Sequence, residues 1–226
     1  MRRAVDVVVA GLAFVVGAPL LLAVAIVVRM QLGRPVLFRQ TRAGRDGVHF
    51  TITKFRTMRP PAHADEADTD RTPPIGRLLR TTSLDELPQL WNVLVGDMSL
   101  IGPRPTLPEQ VIHYDATQRR RLEVRPGITG YAQVNGRNAL SWPERIKLDV
   151  WYVDHRSLVL DLWIIGATVG KLLRPEGVTG DGGVNPAFPV IDVTTGGQAL
   201  SPHPAAGAGE RRDGHEDRRK VPHVVD

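Results

Sequence analysis

From Val7 to Val28 the chain runs 22 residues without a charge. That is enough helix to cross the hydrocarbon core of a bilayer. Arg2 and Arg3 flank one end of the run, and Arg29 and Arg34 flank the other. A cleaved secretory signal has a shorter apolar stretch followed by small residues, whereas Arg29 and Met30 follow directly here. Basic flanks prefer the cytoplasmic side, which asks both ends to lie on one face. Near the middle, after Gly17, stand Ala18 and Pro19. The proline removes a helical hydrogen bond and forces a bend. A helix that enters, bends at Ala18-Pro19 and returns to its starting face meets both conditions. On these grounds alone, a single spanning helix with a proline kink stays open.

The remaining chain is long enough for one domain with a real core. It has no cysteine, so disulfides, thiolate metal sites and thiol nucleophiles are excluded. The net charge is +5, unevenly placed. After Pro175 come five basic and eight acidic residues, leaving that stretch at −3 and the rest at +8. A basic body suits nucleic acid, an anionic membrane surface or phosphate-bearing substrates. No nucleic-acid-binding module is recognisable, and such a partner leaves the apolar segment unexplained.

Pro35–Thr41 and Val48–Thr53 alternate apolar and polar residues around an Asp46-Gly47 step, which predicts a hairpin. Residues 59–72, rich in proline and acid, read as a mobile loop. Ser83-Leu84-Asp85-Glu86 has capping-box spacing, with Leu87, Leu90, Trp91, Leu94 and Val95 following at helical intervals. This predicts a helix with Asp85 and Glu86 in its first turn. Further helices are expected over Pro108–Val124, Glu144–Val153 and Leu158–Leu173. Trp142, Trp151, Tyr152 and Trp163 suit either a membrane–water boundary or an ordinary core. From residue 176 the Gly-, Pro- and charge-rich composition predicts a disordered tail. The expected class is α+β and mainly helical. Its segments are a re-entrant membrane helix (1–34), a catalytic domain with a small β-hairpin and amphipathic interfacial helices (35–175), and the tail (176–226).

Short charged strings punctuated by proline and glycine fill the centre. They are Lys54-Phe55-Arg56-Thr57-Met58, then Arg80 through Asn92, then Gly96 through Pro105, then Arg125 through Arg137. Arginines held beside proline or glycine suit bidentate recognition of phosphate oxygens. Arg80, Arg104 and Arg137, with Lys54, are enough to clamp a diphosphate if the fold brings them together. A carboxylate pair beside such a clamp needs no base to become a nucleophile, since it is ionised at neutral pH. It also suits Mg²⁺, which takes oxygen ligands and bridges substrate phosphates. An Asp-Glu pair taken alone is more simply a helix-capping feature.

Together these strings closely resemble the bacterial sugar transferase family, the monotopic polyprenyl-phosphate phosphoglycosyl transferases that begin lipid-linked glycan synthesis. The resemblance runs from about Arg2 to about Leu173. It includes the apolar N-terminus, Phe38-Arg39-Gln40, Gly44-Arg45-Asp46-Gly47, the Lys54–Met58 string, Asp85-Glu86, Pro103-Arg104-Pro105 and Leu158–Leu162 with Asp161. It implies transfer of a sugar-1-phosphate from a UDP-sugar to polyprenyl (undecaprenyl) phosphate, through a covalent aspartyl-phosphosugar. Asp85 is then the nucleophile and Mg²⁺ contact, and Glu86 its helper. Lys54, Arg80, Arg104 and Arg137 are the phosphate and nucleotide contacts, and Asp161 is a further member of the site. The implied setting is the cytoplasmic face of the bacterial inner membrane, among its lipids, in exopolysaccharide or capsule synthesis. The family breaks its N-terminal helix at Ser-Pro; here the pair is Ala18-Pro19, without the serine hydroxyl. The opposing expectation is a non-catalytic, membrane-associated assembly factor that binds anionic lipid through the basic body. Which sugar is transferred is not written in the shared motifs.

Overall fold

The computed structural model describes residues 2–63, 66–136 and 140–173. Arg137 and the tail expected beyond residue 175 lie outside them.

Helix α1 (Arg2–Leu32) is one 31-residue helix, and it stays helical through Ala18 and Pro19. Gly33, at φ +75°, ends it, and the Arg56 guanidinium caps it by donating to the Leu32 and Arg34 carbonyls. Burial repeats along its whole length at Asp6, Ala10, Phe14, Leu21, Val24 and Val28. That three-to-four-residue spacing is one face of a helix, and it continues past the proline. The other faces are exposed and apolar: Val15 and Val16 are each 71% exposed.

The predicted hairpin is present. Strand β1 (Leu37–Ala43) pairs antiparallel with β2 (His49–Phe55), Leu37 opposite Phe55 and Ala43 opposite His49. Asp46 and Gly47 turn the chain with φ of 55° and 78°, values that Asp and Gly tolerate best. Within the expected mobile loop 59–72 one helical turn forms, α2 (Asp68–Arg71). Helix α3 (Pro74–Thr81) follows. Gly76 packs so closely on the Thr57 carbonyl that an added Cβ would lie 1.9 Å from that oxygen.

The capping box expected at Ser83 does not form. Ser83 reverses the chain out of α3 in the left-handed region (φ 57°), and its side chain caps nothing. Leu84–Gln89 then winds as a 3₁₀ turn, beginning with Glu86 N donating to Ser83 O at 3.1 Å. Pro88 has no N–H to donate, and in an α-helix its ring would clash with the Leu84 carbonyl, which disfavours α winding here. Only then does α4 (Leu90–Val95) begin, ended by Gly96 at φ 102°.

Strand β3 (Ser99–Ile101) leads into the Pro103–Thr106 loop. The single helix expected over Pro108–Val124 is replaced by α5 (Pro108–Val111), α6 (Ala116–Arg119) and a 3₁₀ turn at Arg120–Leu122. Asp115 interrupts it, capping α6 by accepting from Gln118 N at 2.8 Å. Strand β4 (Gly127–Thr129) pairs parallel with β3, and α7 (Tyr131–Asn135) follows. Helix α8 (Trp142–His155) opens on a capping box of Ser141 and Glu144. Helix α9 (Leu158–Leu173) completes the described chain.

Helix α1 belongs to the core rather than to a separate segment. Ala10 packs with Ile52, Leu90, Val93 and Met98, while Val24 and Val28 pack with Phe55 and Leu79. Its first turns are also fixed by polar contacts. Arg3 donates to the Val93 and Leu94 carbonyls, which α4 leaves unpaired at its end. Asp6 accepts from Ser99 Oγ at 2.8 Å and Leu100 N at 3.1 Å. Both ends of α1 therefore rest on the same body.

Candidate active site

The hairpin and the 3₁₀ turn pack together, and this brings Lys54 to Asp85-Glu86. Lys54 Nζ lies 2.6 Å from Glu86 Oε1. From the loop after β3, Arg104 Nη2 reaches the same oxygen at 2.8 Å. One carboxylate oxygen thus gathers two cations from elements far apart in sequence. Arg80, at the end of α3, is held by Thr57 Oγ1 at 3.0 Å, and its charge acts on Asp85.

The two acids are driven apart. Asp85 is buried; that burial, then the Glu86 charge, pushes its carboxyl up to about 6, against Lys54, Arg104 and Arg80. Burial alone would raise Glu86 as well. There Arg104 and Lys54, by charge and by hydrogen bond, prevail and hold the carboxyl down at about 2. Glu86 is a fixed anion, while the Asp85 carboxylate carries a charge that its surroundings only partly compensate. Burial lowers the Lys54 ammonium below its ordinary value although Glu86 opposes it.

Asp161 stands elsewhere. It accepts from Tyr152 Oη at 2.7 Å and pairs with Arg2 at 3.2 Å, tying α9 and α8 to the start of α1. Of the expected site residues the structure joins Lys54, Arg80, Asp85, Glu86 and Arg104. Asp161 is engaged with Arg2 of α1 and Tyr152 of α8, and Arg137 lies outside the described residues.

Arg42 is a site cation that sequence reasoning passed over. Burial, then the Arg104 charge, pulls it down to about 10, against Glu109 and Glu86. Gln40 Oε1 accepts from it at 2.6 Å, and its other nitrogen reaches Pro105 O at 3.5 Å. Strand periodicity carries the signal: Phe38 is opposite Lys54, so Phe38, Gln40, Arg42 and Lys54 share one face of the hairpin.

Among the described residues no three His, Cys, Asp or Glu side chains gather as a metal site. With Glu86 committed to Lys54 and Arg104, Asp85 is the carboxylate of the pair left to meet a cation. Such a donor set fits Mg²⁺ carried mainly by substrate phosphates and water, not a cation caged by protein.

The family model for bacterial sugar transferase matches residues 1–175. The chain belongs to the bacterial sugar transferase family. It is 52% identical over 160 residues to an uncharacterized sugar transferase, EpsL, of Bacillus subtilis, covering 67% of this chain and 77% of that protein. It is 43% identical over 188 residues to the UDP-glucose:undecaprenyl-phosphate glucose-1-phosphate transferase of Caulobacter vibrioides, covering 77% of this chain and 70% of that one. To the exopolysaccharide production protein ExoY of Sinorhizobium fredii it is 36% identical over 196 residues, 78% of this chain and 87% of the relative.

Proposed function

We propose that this sugar transferase moves a sugar-1-phosphate from a UDP-sugar to polyprenyl phosphate, with Asp85 as a covalent nucleophile. The observation that carries the reading is the pairing of a partly compensated, buried Asp85 with a Glu86 oxygen that gathers Lys54 and Arg104. Relatives named for this transfer, such as that of Caulobacter vibrioides, support the donor and acceptor classes.

In the first step an Asp85 carboxylate oxygen attacks the phosphorus that bears the sugar. The bond from that phosphorus to the bridging oxygen breaks, and its electron pair leaves with UMP. In the second step a phosphate oxygen of the polyprenyl acceptor attacks the same phosphorus, forms the lipid diphosphate and returns Asp85 as a carboxylate. Lys54, Arg80 and Arg104 balance the charge on the non-bridging oxygens and hold the group in line. Mg²⁺, when bound through Asp85 and the phosphates, would supply further neutralisation of the same oxygens. Glu86, with its carboxyl at about 2, is a weak base. Its help is positional: it holds Lys54 and Arg104 facing Asp85 until phosphate takes over those donors.

Helix α1, exposed and apolar on the faces away from the body, sits in the surface of the bacterial inner membrane with both ends cytoplasmic. Val159 and Leu162 on α9 are exposed apolar side chains as well. A water-soluble donor and an acyl-chain acceptor then meet at headgroup level. An assembly factor that only binds anionic lipid needs no buried nucleophile of this kind.

The test is UMP release by the detergent-solubilised chain given UDP-sugar, Mg²⁺ and polyprenyl phosphate, with Asp85→Asn alongside. Release that survives in Asp85→Asn would sink the covalent mechanism. A panel of UDP-sugars then identifies the donor.

A further inference from the structure

Each carbonyl of the Pro103–Thr106 loop is held by a different donor. Gly127 N takes Pro103 O at 2.9 Å, Arg121 Nη2 takes Arg104 O at 3.0 Å, Arg42 reaches Pro105 O, and Ala43 N takes Thr106 O at 2.9 Å. Two prolines remove further backbone freedom. The Arg104 main chain is thus a fixed mount for a side chain that is itself 45% exposed.

The donor behind Arg104 is unlike the others, because Arg121 is 2% exposed and charged. Its Nη2 is shared between Arg104 O and Asp149 Oδ2, the latter at 2.5 Å, and its Nη1 donates to Tyr114 Oη at 2.6 Å. Asp149 on α8 is 1% exposed. A buried ion pair of this kind is a poor source of stability, since an apolar pair of similar volume often folds as well or better. Its worth lies in geometry: one planar fork meets three acceptors, from the link between α5 and α6, from α8 and from the loop. Thr106 Oγ1 and Arg121 Nε are buried without a protein partner. Both residues line a cavity of about 10 Å³ beneath the loop, the size of a single water.

We propose that Arg121 is the positioning residue of the phosphate clamp: locked by Asp149 and Tyr114, it fixes the Arg104 carbonyl and so aims the Arg104 guanidinium at Glu86 and the donor's phosphates. This rests on the phosphoglycosyl transferase reading above. Arg121 touches no reacting atom and acts only through Arg104.

The experiment is steady-state UMP release by the full, detergent-solubilised chain carrying Arg121→Lys, alone and combined with Arg104→Ala, with thermal unfolding measured beside it. Lysine keeps the buried charge for Asp149 but cannot serve three acceptors in one plane. The expected result is a fall in kcat/KM for the UDP-sugar of about 10- to 100-fold, the scale of a small misplacement. In the Arg104→Ala background the same substitution produces no further fall. A second variant, Arg121→Met with Asp149→Leu, removes both charges together and shows the same pattern with the unfolding midpoint retained. Wild-type kinetics in either folded variant, or losses that multiply in the Arg104→Ala background, overturn the role. So does failure of both variants to fold, which makes the pair a stability element. If the wild-type chain releases no UMP, the reaction assignment itself falls, and this role falls with it.

Discussion

Glu86 Oε1 accepts from Lys54 Nζ at 2.6 Å across the junction of hairpin and 3₁₀ turn, and the same oxygen receives Arg104 Nη2 at 2.8 Å. Removing the charge from Glu86 should release both cations while leaving Asp85 intact. Glu86→Gln is expected to lower kcat/KM for UMP release by about 10- to 100-fold, comparable to losing a preorganised donor. It should still form the covalent intermediate, detectable by mass spectrometry with UDP-sugar in the absence of acceptor. No intermediate in a folded Glu86→Gln would return a chemical role to this residue.

Asp85 imposes a stability penalty that depends on pH. Its carboxyl is pushed up to about 6 in the fold, against about 4 in an unfolded chain. At pH 4 the folded form is protonated and the penalty is small. It grows as pH rises and is complete above 7, where the group is ionised in both states and only the fold must bury the charge. With divalent cations chelated, Asp85→Asn should therefore be more stable than wild type by about 3 kcal/mol at pH 8 and by much less at pH 4. Unfolding midpoints at the two pH values check this; equal midpoints at pH 8 contradict it.

Arg42 shares its hairpin face with Lys54 and feels the charges of Arg104 and Glu86. Arg42→Ala should raise KM for the UDP-sugar about tenfold, the scale of one charge-assisted hydrogen bond, with a smaller change in kcat. Initial rates across donor concentrations separate the two. An unchanged KM would leave Arg42 a support of Pro105 alone.

Asp6 is a buried acid on an otherwise apolar helix face, and it accepts from Ser99 Oγ and Leu100 N. Asp6→Ala should cost about 1–3 kcal/mol by leaving those donors unmatched. Thermal unfolding in detergent measures the loss, and Asp6→Asn should recover part of it. Wild-type stability in Asp6→Ala would mean that apolar contacts alone seat α1.

With both ends of α1 on one body, tags at Met1 and at Arg34 should be modified from the same side of sealed inverted vesicles. Labelling of Met1 from the opposite side would show a spanning helix.

Where local chemistry decides structure, the sequence was readable. Alternation with an Asp46-Gly47 step predicts the hairpin that forms, and the helix expected over Glu144–Val153 lies within α8, which Ser141 and Glu144 cap two residues earlier. The same spacing misled at Ser83, because α3 ends directly before it and Pro88 interrupts the α-helical ladder after it. Pro108–Val124 had helical composition throughout, but Asp115 satisfies backbone donors locally and restarts the helix. Lys54, Glu86 and Arg104 were named from motif strings, whereas their convergence on one oxygen is a property of packing. Arg121 was hidden in a run of three arginines, and only burial separates it from Arg119 and Arg120. Asp161 enters the site only through the family resemblance, and in the fold its partners are Arg2 and Tyr152.

The stripe along α1 also sets an order of assembly. Ala10 completes a cluster with Ile52, Leu90, Val93 and Met98, and Val24 and Val28 complete another with Phe55 and Leu79. Every strand and helix that completes these clusters lies after α1 in the chain, so its stripe stays bare until they fold. The rest of the domain condenses onto it as onto a keel. A chain trimmed of α1 would lose one wall of both clusters, so the apolar helix and the body that carries the site are one folding unit.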